Sequence, residues 1–122
     1  MLPNIFTTLQ ASAAVRALLG ARPRIFRMGE APQDSEKPYA TWLLISGVPE
    51  LTLSETPAID RDSIQLDVWS RTETECEEIA IAIRDRMEQV THMTAFRVHA
   101  REAETRLYRI GMDFDYFLPR EA

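Results

Sequence analysis

The stretch Asp62-Ser-Ile-Gln-Leu-Asp-Val-Trp-Ser70, followed by Arg71-Thr-Glu-Thr-Glu-Cys76 and a patterned run to Val90, decides the fold. Ile64, Leu66 and Val68 alternate with Gln65, Asp67 and Trp69, the period-two signature of a strand with one face on a core. The period then changes. Cys76, Ile79, Ala80, Ile83, Met87 and Val90 fall at helical spacing and form one apolar stripe. Thr72 with Glu75 three residues later is a capping-box pattern, and Glu73, Glu75, Glu77 and Glu78 crowd the positive end of the helix dipole, with Arg84 and Arg86 toward the negative end. A strand feeding a well-capped helix is the local frame against which the other elements must pack.

Outward from that frame, residues 4–19 carry Ile5, Phe6, Leu9, Val15, Leu18 and Leu19 and end at Gly20, which predicts a helix, or two short ones if Ser12 caps a second. Pro23 bars continuation, and residues 24–28 suit a short edge strand. The prolines, glycine and charges of 29–38 predict a loop, and Tyr39-Ala-Thr-Trp-Leu-Leu-Ile-Ser46 predicts a strand. Between Gly47 and Arg61 two prolines and several polar residues argue against a core strand and for a functional excursion. On the far side of the helix, 95–101 alternates Phe96 and Val98 against Arg97, His99 and Arg101. Residues 102–106 make a polar connection, and 107–117 is the last strand. Its Tyr108, Ile110, Met112, Phe114 and Tyr116 share one face, with Arg109, Gly111, Asp113 and Asp115 on the other.

The sum is a single α+β domain over residues 1–122: a mainly antiparallel, four- to five-stranded sheet with two helices packed on one face and a projecting hairpin or loop arm. The second sheet face would carry Gln65, Asp67, Trp69, Arg97, His99, Arg109, Asp113 and Asp115 as a solvated surface. At 122 residues, 45% apolar and 27% charged, the chain fits one two-layer core. No apolar run approaches the roughly 20 residues of a membrane span, and the N-terminus lacks a basic signal-type region. A lone cysteine excludes an internal disulfide, and a net charge of −5 argues against nonspecific nucleic-acid binding.

The chemistry is sparse. Asp113 and Asp115 project from one strand and could pair for metal or acid–base work, but facing Arg97, Arg101 or Arg109 is the simpler reading. His92 and His99 lack ligand spacing. Cys76 lies on an apolar stripe beside acidic residues that oppose a thiolate, so it reads as core. No phosphate loop, dinucleotide fingerprint or nucleophile elbow is present. No catalytic, cofactor-binding or metal-binding residue is expected, and the chain does not read as an enzyme. Trp42, Trp69 and the 47–61 excursion point to an interaction or structural module.

The order of several further pieces carries a resemblance across nearly the whole chain. They are Leu18-Leu-Gly-Ala-Arg22, Arg24-Ile-Phe26, Ala31-Pro-Gln33, Lys37-Pro-Tyr-Ala-Thr-Trp42, Ile45-Ser-Gly-Val-Pro-Glu50, Ile64 to Ser70, and Leu107-Tyr-Arg-Ile-Gly-Met-Asp-Phe-Asp-Tyr116. Together they resemble the tail completion or tail terminator proteins of long-tailed phages, prophages and gene transfer agents. The resemblance implies a ring, usually of six subunits, at the head-proximal end of the tail tube. Such a ring stops tube growth and offers the docking surface for the head connector, while DNA passes through its lumen without specific binding. It also implies tail tube protein and connector as partners, no membrane, a place in the neck of the virion tail, and assembly in the bacterial cytoplasm.

Within that reading, Leu51, Leu53, Pro57 and Ile59 are the expected subunit-interface residues, because a solvated loop has no need of such apolar side chains. Glu50, Glu55, Asp60, Asp62 and Asp67 are the expected lumen-lining residues, because only the arm and the polar sheet face are free of core duties. The alternatives are a monomeric or dimeric α+β ligand-binding or regulatory domain and, less well supported, a metal-dependent hydrolase built on Asp67, Asp113 and Asp115.

Overall fold

The computed structural model describes residues 3–32, 35–52 and 55–119, and the side chains of these apart from 46–59, 97–98 and 118–119. The element order is α1 (Ile5–Gln10), α2 (Ala13–Leu19), β1 (Ile25–Arg27), β2 (Tyr39–Thr52), β3 (Glu55–Ser70), α3 (Glu73–Met87), β4 (His92–Arg101) and β5 (Tyr108–Pro119). The strands form one mixed sheet in the order β1-β2-β3-β5-β4. Only the short edge strand β1 runs parallel to its neighbour, and the other pairings are antiparallel. None of the described helices is long and apolar enough to cross a membrane.

The core forms where the two periodicities meet. Ile64, Leu66 and Val68 of β3 and Ile110, Met112 and Phe114 of β5 are buried together with Cys76, Ile79, Ile83 and Met87 of α3. The N-terminal segment is the broken pair that Ser12 allowed. Asn4 caps α1 through the Thr7 N–H (3.2 Å), and Ser12 caps α2 through the Val15 N–H (3.3 Å). Their buried residues Ile5, Leu9, Val15 and Leu19 join the same core, and Arg86 Nε donates to Thr8 O (2.8 Å), tying α3 to α1. Three helices rather than two therefore complete the layer.

The start of α3 uses half of the expected capping box. Thr72 Oγ1 accepts from the Glu75 N–H at 3.3 Å, but the Glu75 carboxylate accepts from Ser70 Oγ (2.5 Å) instead of reaching back to Thr72. The helix ends at Met87, and Val90, expected on its stripe, lies beyond it and is exposed. A turn closed by the Thr91 N–H and hydroxyl on Met87 O (2.7 and 2.6 Å) takes up those residues.

The largest departure from expectation is residues 47–61, which are strand through most of their length. β2 and β3 stay paired from Tyr39↔Trp69 to Thr52↔Glu55, through register shifts between Leu44 and Ser46 and between Glu50 and Thr52, so the excursion is a hairpin arm with its body in the main sheet. The two prolines fit because each sits where its strand lacks a neighbour on one side. Pro49 lies past the end of β1, and Pro57 lies past Ile59↔Pro119, where β5 stops.

β4 is the second departure. Register shifts between Met93 and Ala95 and between Phe96 and Val98 insert extra residues, so Met93, Phe96 and His99 face the same way as Phe114, Met112 and Ile110. His99, expected on the polar face, therefore turns toward the helices and meets Glu73 at 3.2 Å.

Candidate functional site

The arm is built by two strands that outlast the rest of the sheet. From Ile64, the last core residue of β3, to Glu55 is nine residues, or ~30 Å of extended chain. At its base a bulge between Leu44 and Ser46 inserts Ile45, which is exposed; bulges bend a strand and sharpen its twist, which re-aims the arm. By register, Pro49 pairs with Asp60, and Glu50 with Ile59, which pairs on its other side with Pro119. The backbone thus brings Glu50, Leu51, Glu55, Pro57, Ile59, Asp60 and Asp62 onto one ribbon, whereas Leu53 lies outside the described residues.

Asp62, expected to line a lumen, is only 5% exposed, and its Oδ2 has no hydrogen-bond partner among the described residues. Burial, and then the neighbouring Asp60, push its carboxyl above the usual range. Asp67, expected in the same role, is five residues further into the sheet body and shows no carboxylate to any surface. Its side chain is 1% exposed, Arg109 Nη2 donates to its Oδ2 at 3.1 Å, and Gln65 Nε2 donates to its Oδ1 at 3.1 Å. A short carboxylate disappears here because longer side chains lie flat across it.

The open sheet face is consequently a knit polar layer as well as a wetted surface. Arg109 bridges Asp67 and Glu102 (3.4 Å) and stacks over the Trp69 ring, 5.1 Å from its centroid. Trp69 stacks on Tyr39 (centroids 6.3 Å apart) and donates from Nε1 to Thr41 Oγ1 at 3.2 Å. Asp115 accepts from Ser63 Oγ at 2.6 Å. Asp67 and Asp115 lie opposite Gly111 and Ser63, so they are separated by four strand positions, ~13 Å. That spacing and those partners leave no common metal centre for Asp67, Asp113 and Asp115, and no group of three or more ligating side chains is found among the described residues. Cys76 is buried, with Sγ 3.5 Å from Val68 O, and burial raises its thiol to about 11, so it stays protonated and inert.

Sequence reasoning missed a surface beside α3. A groove of about 580 Å³ lies between α3 and β4, with Ile81 and Phe96 exposed at its walls and Met93, Ile110 and Met112 along it. The bulges of β4 create it by turning Phe96 out beside α3, and no glycine or proline in 92–101 signals them.

Three comparisons bear on this architecture. A family model described as tail completion protein gp17 matches residues 3–118. No curated protein matches the sequence. Among solved structures, a chain of the native gene transfer agent virion is similar with a TM-score of 0.65 at 15% identity, over 95% of this chain and 92% of that one. The gp17 protein of bacteriophage SPP1 is similar with a TM-score of 0.53 at 12% identity, over 96% of this chain and 88% of that one. At such identities the likeness speaks for the fold, while the family match runs through the helical layer, the arm and the last strand alike. The chain belongs to the tail completion protein gp17 family, and so is a structural component of a virion tail and not an enzyme.

Proposed function

We propose that copies of this chain close into a six-membered ring at the head-proximal end of the tail tube. There the ring halts tube growth and presents the surface on which the head connector docks, with DNA passing through its lumen. It would act in the neck of the virion and assemble in the bacterial cytoplasm. The observation that supports this reading is the arm: two strands continuing past the point where their other neighbours stop. A closed ring needs each subunit to offer two different surfaces, one for each neighbour, and a projecting ribbon supplies a reach that the body lacks. We assign Leu51, Leu53, Pro57 and Ile59 to the contact between subunits and Glu50, Glu55 and Asp60 to the lumen. Asp67 drops out of the lining because Arg109 and Gln65 enclose it, and Asp62 because it is buried at the arm's base.

Light scattering on the purified chain tests the ring, with a mass of six copies expected and a monomer at all concentrations overturning it. A chain lacking residues 50–58 should stay folded and monomeric. Rings of wild-type size from that deletion would remove the arm from assembly.

A further inference from the structure

The end of the sheet opposite the arm carries a charge that the composition hides. β2 begins there at Tyr39, β3 ends at Ser70, and β4 turns into β5 through residues 102–107, some ~45 Å along the strands from the arm's far end. A depression of about 440 Å³ opens at this end, lined by Lys37, Tyr39, Arg71, Arg101, Thr105, Arg106 and Leu107. Four of the chain's 14 basic residues thus surround one hollow in a protein of net charge −5.

None of the four has a carboxylate partner among the described residues. Three of the four acidic groups nearest in sequence face other partners: Glu36 toward Arg24 (3.9 Å), Glu73 toward His99 (3.2 Å) and Glu102 toward Arg109 (3.4 Å), while the exposed Glu104 makes no ion pair among the described residues. Two of the cations are held in place by rings instead. Lys37 lies over Tyr39, 5.9 Å from its centroid, and Arg101 lies over Tyr108 at 5.2 Å while its Nε donates to Arg106 O (3.1 Å). Arg106 itself has φ +60, the left-handed region that asparagine or glycine would occupy with less strain. A bulky cation kept at a strained position beside three other cations that lack a carboxylate partner is a local conflict of the kind found at binding sites.

We infer that this hollow is the docking surface for a carboxylate-rich segment of a partner protein, distinct from the contacts between copies of this chain. The inference extends the ring reading: the arm at one end of each subunit would serve the contacts between copies, and the basic hollow at the other end would serve a different partner. Protein is favoured over nucleic acid by shape and field. The cations ring a compact hollow with Tyr39 and Leu107 in its wall and do not form a stripe along which a phosphate backbone could run, and the molecule as a whole is acidic.

A fluorescein-labelled hexaglutamate peptide, followed by anisotropy at low salt, is the probe. The full-length chain should bind it, and the Arg71→Glu/Arg106→Glu variant should bind on the order of tenfold or more weakly, because opposite charge has been placed at the docking point. Arg71→Gln/Arg106→Gln should fall between, which guards against a folding defect in the reversal, and circular dichroism checks both. Arg84→Glu, on α3 and away from the hollow, should bind as the wild type does. Absence of peptide binding, or an equal loss with Arg84→Glu, overturns the inference. So does tighter binding of a duplex oligonucleotide than of the peptide, which would make the hollow a phosphate site. The scattering mass of Arg71→Glu/Arg106→Glu should equal that of the wild type; a smaller mass would make the hollow a contact between copies and overturn the separate-partner assignment. A monomeric wild type that still binds the peptide through Arg71 and Arg106 would sink the ring reading alone.

Discussion

At the scale of single residues, two aspartates that look alike in the sequence have opposite roles. Asp67 is enclosed and compensated by Arg109, whose own side chain is a quarter exposed. Removing one partner of a buried pair leaves an uncompensated charge, so Arg109→Met should lower stability by about 3 kcal/mol, the low end for such pairs given the arginine's exposure. Urea unfolding checks it, and an unchanged midpoint would mean that Asp67 reaches water or another donor. Asp62 is buried without a hydrogen-bond partner on Oδ2, and burial raises its carboxyl. A carboxyl raised in the folded state binds its proton more tightly folded than unfolded. Its ionisation therefore costs stability above the folded value, and the cost vanishes below the unfolded one. Asp62→Asn should raise the melting temperature at pH 7, with the gain shrinking as the pH falls through the carboxylate range. A gain that is the same at pH 7 and pH 3 would show that charge is not the cause. The sequence placed both residues correctly on β3, but whether a carboxylate is wet or covered depends on side chains from β5 that one-dimensional pattern does not rank.

At the scale of elements, α3 was legible almost to its ends because its stripe, cap and dipole charges agree with one another. Ile83 lies at the centre of that stripe and is fully buried against the β3 and β5 side chains. Ile83→Ala should cost roughly 2–5 kcal/mol, the range for deleting a large core side chain. Thermal or urea unfolding would settle it, and a wild-type midpoint would mean the helix does not seat on the sheet. The arm was legible as a projecting hairpin or loop, but not as a continuation of two core strands. Its prolines argued against strand because that rule applies to strands flanked on both sides, and nothing local tells that Pro49 and Pro57 lie beyond their neighbours' ends. β4 was legible as a strand, but not in the facing of His99, which two register shifts reassign without any turn residue to mark them.

At the scale of the whole molecule, six copies would multiply the −5 charge sixfold. Screening would confine that field to a Debye length of ~8 Å at physiological salt, so in the proposed ring repulsion of DNA would act only close to a wall to which Glu50, Glu55 and Asp60 are assigned. Titrating the assembled particle with duplex DNA at low salt should show weak binding. Tight binding that fades steeply with salt would overturn the conduit reading. By itself the sequence determined the α+β class, the core pairing of α3 with β3 and β5 and the burial of Cys76, because these follow from periodicity, capping and residue type, which are local properties. Only the tertiary structure decided that 47–61 belongs to a continuous hairpin, that Asp67 is sealed under Arg109, and that Lys37, Arg71, Arg101 and Arg106 converge on one hollow. Those outcomes depend on where neighbouring strands stop and how their ends meet. The energies that set them come from contacts between residues distant in the chain.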